Sequence, residues 1–230
     1  MSRNPFPKNG PGRKNLMAVT GLFLCLFLVV HLAGNLQLLL PPDRARLQYN
    51  LYSEMLSHNI LIKIISYALY LSILAHAIYA WILTRQSQKA RGGQAYVFDR
   101  RGQASSWYRR SMGILGALLL VFIVIHMKDF WFQYKFGHMP VDEAGRKDLY
   151  AIVVAAYQQG WYVALYVVAM LVLGFHLLHG FNSAFQTIGL YHRKYSRWMK
   201  VAGQVYTALI TAGFVVIPIY LYIQQNHILT

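Results

Sequence analysis

The sequence predicts an all-α membrane protein with five transmembrane helices. Three observations carry that reading: 57% of the 230 residues are hydrophobic and 13% charged, long apolar runs recur, and basic residues collect in alternate connecting segments. A soluble domain carries about 25% charged residues, so this composition excludes an ordinary water-soluble enzyme. A bilayer core about 30 Å thick asks for about 20 predominantly apolar residues per helix. Five runs meet that length: about Leu16 to Leu40, ending at Pro41-Pro42; Ile60 to Leu83, ending at Thr84-Arg85; Met112 to Phe132; Trp161 to Ile188; and Val201 to Ile223. Their length and the lack of hairpin turns exclude strands.

The first run follows Arg3, Lys8, Arg13 and Lys14, as the apolar part of a secretion signal would. It is longer than the 7–15 apolar residues typical of such signals, and Pro41-Pro42 is not a small-residue cleavage site. It therefore reads as a retained helix. The connecting segments are too short to fold alone, so residues 1–230 read as a single integral-membrane domain.

The net charge of +15 comes from 22 basic and 7 acidic residues. In a polar chain it would suggest nucleic acid; here its distribution reads as topology. The N-terminal tail, the segment with Arg85, Lys89, Arg91, Arg100, Arg101, Arg109 and Arg110, and the segment with Arg193, Lys194, Arg197 and Lys200 hold fifteen basic residues and one acid, Asp99. Asp43, Glu54, Asp129, Asp142, Glu143 and Asp148 fall on or near the opposite side. Basic segments stay on the cytoplasmic side, which predicts a cytoplasmic N-terminus and an external C-terminus.

One cysteine, Cys25, excludes an internal disulfide, a four-thiolate cluster and covalent haem attachment. Nine histidines remain as ligands. An intramembrane histidine is costly without a partner, and four runs carry one near mid-membrane: His31, His76, His126 and His176. Measured from the outer helix ends at about 1.5 Å per residue, His31 and His126 lie about 15 and 16 Å deep, His76 and His176 about 25 and 24 Å. The spacing predicts an outer and an inner tier about 9 Å apart. Two imidazoles from facing helices at one depth can ligate a haem iron axially. Two tiers then predict two non-covalent haem b groups in a bundle of four helices, with iron bound by His31 and His126 and by His76 and His176. Gly34, Ala80 and Gly180, each one turn past a histidine, would let a flat ring approach. His179 is ranked as a haem neighbour.

The segments Thr20 to Asn35 (TGLFLCLFLVVHLAGN), Ser66 to Ala77 (SYALYLSILAHA), Phe122 to His126 (FIVIH) and Phe175 to Leu190 (FHLLHGFNSAFQTIGL) resemble the cytochrome b subunit of succinate dehydrogenase or fumarate reductase. The similarity is to the single-chain, five-helix, dihaem type that works with menaquinone. It implies that His31 and His126 hold the outer haem and His76 and His176 the inner one. It also implies that the chain anchors a flavoprotein and an iron–sulfur protein on the cytoplasmic face, and that the dicarboxylate chemistry belongs to another subunit. Electrons would pass between those subunits and menaquinone, as in a respiratory chain and the tricarboxylic acid cycle. Glu54 lies in the stretch where the family has a glutamate linked to quinol oxidation, so the resemblance implies a quinol proton acceptor there. Lys128 either pairs with Asp129 or meets a haem propionate; the sequence leaves both open. Phe130-Trp131-Phe132 and Tyr134 read as an interfacial aromatic belt. A dimer of complexes is allowed, nucleic acid is not a partner, and the histidine-free fifth helix completes the bundle or packs on a second copy.

Two alternatives share the histidine pattern. One is the dihaem subunit of another quinone-linked complex, such as a nitrate reductase, formate dehydrogenase or hydrogenase. The other is a small transporter whose histidines relay protons. Repeats and broken mid-membrane helices would mark such a transporter, and the sequence displays neither.

Overall fold

The computed structural model describes residues 10–91, 107–190, 192 and 194–227. Arg3, Lys8, Asp99, Arg100, Arg101 and Arg193 of the charge pattern lie outside the described residues. The described chain is almost entirely helical, and five of its helices are long and apolar enough to cross a membrane.

Helix α1 (Gly10–Asn35) tightens into a 3-10 turn at Leu36–Leu39 and stops at two prolines, which cannot donate to a helical ladder. Pro42 then opens α2 (Pro42–His58), where a missing N–H costs nothing and Asp43 faces the positive helix end. Asn59 ends α2 in an extended conformation, and its side-chain oxygen accepts from the amides of Leu61 and Ile62 to start α3 (Ile60–Arg91). Helix α4 (Met112–His126) widens into a π-helical segment, Met127–Phe132, and ends in one α-turn, Gln133–Phe136. Helices α5 (Leu149–Tyr157), α6 (Gly160–Thr187) and α7 (Ser196–His227) complete the chain.

The five apolar runs are found as α1, α3, α4, α6 and α7, and most helices run past the expected ends. Polar last turns continue the backbone ladder after hydrophobicity stops; α3, for example, reaches Arg91 where the run ends near Leu83. Two helices were not expected at all. Both α2 and α5 occupy segments that read as loops, since neither has the length of a span.

Helices α1, α3, α4 and α6 form a ring in which α1 packs on α3 and α6, and α4 on α6 and α3. Helix α7 lies outside the ring, mainly against α6 and also against α1. The approach is close: a Cβ on Gly174 would fall 2.8 Å from Thr211 Oγ1, and one on Gly213 2.7 Å from a Leu32 methyl. Tyr206 of α7 also donates to the Cys25 carbonyl at 2.8 Å. Small residues at such contacts let helices pack where no hydrophobic force acts between them. The fifth span therefore packs within its own chain.

The most buried core sits at one end. There Leu38, the α2 residues Ala45 and Tyr49, the α5 residues Tyr150, Val153 and Val154, and Ile217 and Leu221 of α7 pack with Phe130, Tyr162 and Tyr166. Helices α2 and α5 cap this end. They are clasped by Asp148, whose carboxylate is shielded from solvent and accepts from Asn50 Nδ2 (2.8 Å), Arg46 Nε (2.8 Å) and the Ala151 amide (3.1 Å). Asn50 returns its oxygen to the Tyr150 amide at 3.0 Å. Away from the cap the apolar surface faces outward: Ile60, Ile64, Tyr67, Leu71, Leu74 and Trp81 of α3 are all exposed, as a lipid-facing stripe requires. Among the described residues every acid belongs to the capped end, and the far end carries Arg13, Lys14, Arg85, Lys89, Arg110, Lys194, Arg197 and Lys200.

Candidate functional site

Each helix of the four-membered ring contributes one histidine, and they meet in two pairs. The His31 and His126 ring centres, from α1 and α4, lie 5.8 Å apart with planes at 83°. Those of His76 and His176, from α3 and α6, lie 6.3 Å apart at 67°. The pairing is the one expected from the depth argument.

The separation of the pairs differs from the expected 9 Å. A Cβ on Gly21 would lie 3.2 Å from His76 Cε1, and one on Gly116 would lie 3.7 Å from His176 Cε1. Tyr166 Oη sits 3.1 Å from His126 Nδ1. Gly21, Gly116 and Tyr166 each precede the histidine of their own helix, His31, His126 and His176, by ten residues. Three helices thus agree on tiers about 15 Å apart. The shorter figure assumed that all helices end in one plane. Instead α1 with its 3-10 turn, and α4 with its π segment, run beyond the first turns of α3 and α6 into the cap, where Leu38 and Phe130 are buried.

Two imidazoles bound to one metal through nitrogens about 2.0 Å from it, with ring centres roughly 1.1 Å behind those nitrogens, have centres about 6 Å apart. Both pairs match. Edge-to-face ring packing covers the same range, so the nitrogens carry the discrimination. Nδ1 of His31 lies 3.4 Å from Asn35 Nδ2, Nδ1 of His76 3.3 Å from Thr20 Oγ1, and Nδ1 of His126 3.1 Å from Tyr166 Oη. Buried His176 Nδ1 has no partner. A metal-bound histidine characteristically has its other nitrogen engaged by a neighbour, and the hydroxyls of Thr20 and Tyr166 stand where they can accept from Nδ1 of His76 and His126. Each pair therefore offers two imidazoles that could hold one iron, as a bis-histidine haem site needs. No cluster of three or more His, Cys, Asp and Glu groups occurs among the described residues; a bis-histidine iron needs only two.

Aromatic rings wall the capped pair. Phe27 stacks on His31 at 5.2 Å, Phe214 of α7 lies 5.5 Å from it, and Phe122 and Phe130 flank His126 at 5.8 and 5.3 Å. Phe130 is thus a core residue and not part of an interfacial belt, because the π segment turns it inward. Phe132 remains exposed.

The expected small residues behave differently from one another. Gly34 is filled by the Tyr52 ring, 2.7 Å from where its Cβ would be, and nothing lies within 4 Å of a Cβ on Gly180. The glycines that abut a histidine are Gly21 and Gly116, which the one-turn rule passes over because they lie on the helices of the other tier. Lys128 pairs with Asp129 at 3.2 Å and is largely exposed. Glu54 lies half-buried on α2, two residues from Tyr52. His179 is half-buried on α6, one turn beyond His176.

Fold and site together define a multi-pass helical membrane protein with two cross-bundle histidine pairs stacked along its axis. The chain matches no protein-family model, no curated protein and no solved structure.

Proposed function

We propose that this chain is a transmembrane dihaem cytochrome b, the membrane subunit of a succinate:quinone oxidoreductase (succinate dehydrogenase or fumarate reductase) in the inner (cytoplasmic) membrane. The observation that carries the haem reading is the meeting of four histidines from four helices as two pairs with ring centres about as far apart as two imidazoles on one metal. The choice of complex rests on the sequence resemblance around those histidines.

His31 and His126 would hold the iron of one haem near the external face, and His76 and His176 that of the other near the cytoplasm. A haem bound at each pair supplies a one-electron carrier. The chain's own residues hold the ligands in place: Thr20 and Tyr166 accept from the Nδ1 of His76 and His126, Gly21 and Gly116 leave room beside the lower rings, and Phe27, Phe122 and Phe214 keep water from the upper pair. The basic far end, facing the cytoplasm by the charge rule, would dock a flavoprotein and an iron–sulfur protein. Menaquinone is the exchangeable substrate near the capped end, with Glu54 of α2 as acceptor of the quinol proton. Lipid covers the exposed apolar faces.

The test is purification of the intact complex with haem quantification and spectroscopy. Two b-type haems per chain are expected, together with a flavoprotein that oxidises succinate. His76→Ala and His176→Ala should each remove the same haem, and His31→Ala and His126→Ala the other. A haem-free complex refutes the cytochrome reading, and a molybdenum or nickel partner refutes the succinate assignment.

A further inference from the structure

Beyond the four histidines, the capped end contains a polar chain with a single direction. Tyr162 Oη donates to Asp129 Oδ2 at 2.9 Å. Its only proton is then spent, so the 3.3 Å contact with Tyr166 Oη has Tyr166 as the donor. With that proton also spent, Tyr166 can only accept at its 3.1 Å contact with His126 Nδ1. The histidine must therefore carry its proton on Nδ1, leaving the Nε2 lone pair bare.

The local fold builds this chain deliberately. Tyr162 and Tyr166 are one turn apart on α6 and both are buried. The π segment after His126 turns Asp129 toward them, and Lys128 holds the other carboxylate oxygen at 3.2 Å. The far pair has no counterpart: His176 Nδ1 is without a partner, and His76 Nδ1 meets a neutral hydroxyl. One tier is thus wired to a carboxylate and the other is not.

We infer that Asp129, acting through Tyr162 and Tyr166, is a positioning residue for the iron ligand His126, fixing its tautomer and raising its donor strength. This inference rests on the dihaem reading. A carboxylate at the end of a hydrogen-bond chain makes the ring a stronger ligand, and a stronger donor favours the more positive, oxidised iron. The wired site should therefore have the lower reduction potential for a given haem.

The experiment is redox titration of the purified complex, wild type against Tyr162→Phe and Asp129→Asn, followed at each haem's spectral band. Tyr157→Phe is the control, since Tyr157 packs against Tyr166 with ring centres 5.1 Å apart but its hydroxyl is not in the chain. Both chain variants should retain two haems and raise the potential of the haem lost in His126→Ala. A tenfold shift in its reduction equilibrium corresponds to 59 mV for one electron. The other haem and the Tyr157→Phe variant should not move. Where Asp129→Asn assembles poorly, Tyr162→Phe alone carries the measurement. Two haems with unchanged potentials in Tyr162→Phe, or equal shifts at both, overturn the inference and leave the dihaem reading standing. A wild-type complex without haem overturns both.

Discussion

At the scale of single residues, the decisive features are small and specific. A Cβ at Gly21 would lie 3.2 Å from the His76 ring, so Gly21→Val should displace that imidazole. Overpacking of this kind costs about 1–3 kcal/mol. On the dihaem proposal the expected outcome is loss of the haem assigned to His76 and His176 with retention of the other, read by haem content per chain. Gly180→Ala meets no protein atom within 4 Å and should raise stability by about 0.5–1 kcal/mol through lower backbone entropy, read as a later thermal transition of the haem-free chain. Asn50 is 1% exposed and links Asp148 to the Tyr150 amide. Asn50→Ala strands both partners and should lower stability by about 1–3 kcal/mol, seen as an earlier thermal transition in detergent. None of these roles is visible in composition. A glycine beside a histidine on another helix, or an asparagine bridging two loop-length segments, becomes apparent only when the helices are assembled.

At the scale of elements, α2 and α5 form a clasped cap, and the clasp responds to acid. Burial alone would raise the Asp148 pKa, but hydrogen bonds from Asn50, Arg46 and the Ala151 amide outweigh it and hold the carboxyl below its ordinary value. A carboxylate with a depressed folded-state pKa contributes stability that is fully present above its unfolded pKa, about 3.9. That contribution is lost as pH falls through the folded value. The cap should be tight at neutral pH and loosen below about pH 4. The protection of amides 42–58 from hydrogen exchange, relative to their intrinsic rates, should fall in that acid range, and in Asp148→Asn it should already be lower at pH 7. The π segment is the other element with a consequence. By widening the turn after His126 it buries Phe130 and brings Asp129 to Tyr162, which a regular α-helix ending at the interface would not do. Hydropathy is blind to it, because the run from Met112 to Phe132 is apolar whichever ladder its backbone adopts.

At the scale of the whole molecule, polarity and chemistry share one axis. Acids and the cap occupy one end, a purely basic rim of described residues the other, and the histidine pairs lie about 15 Å apart between them. If the basic rim is cytoplasmic, a membrane-impermeant thiol reagent should label Glu143→Cys in intact cells. It should label Lys194→Cys only once the membrane is opened. Both positions are exposed, and Cys25→Ser supplies the background. The reverse pattern would invert the topology and with it the docking side proposed for soluble subunits.

Five spans, their approximate limits, the charge asymmetry and the pairing of four histidines were all legible in the one-dimensional pattern. Each follows from a rule tied to distance along a helix: bilayer thickness sets run length, and rise per residue converts position into depth. The tier separation, the cap, the π segment and the Asp129–Tyr162–Tyr166–His126 chain were decided by tertiary structure. They depend on where one helix ends relative to another and on which side chains face each other across an interface, and neither is encoded in spacing along a single helix. The ten-residue offsets of Gly21, Gly116 and Tyr166 from their own histidines acquire meaning only once the assembled helices show which residues meet the other tier. The directed hydrogen-bond chain likewise needs four residues from two helices, and a turn of unusual width, to meet at one point.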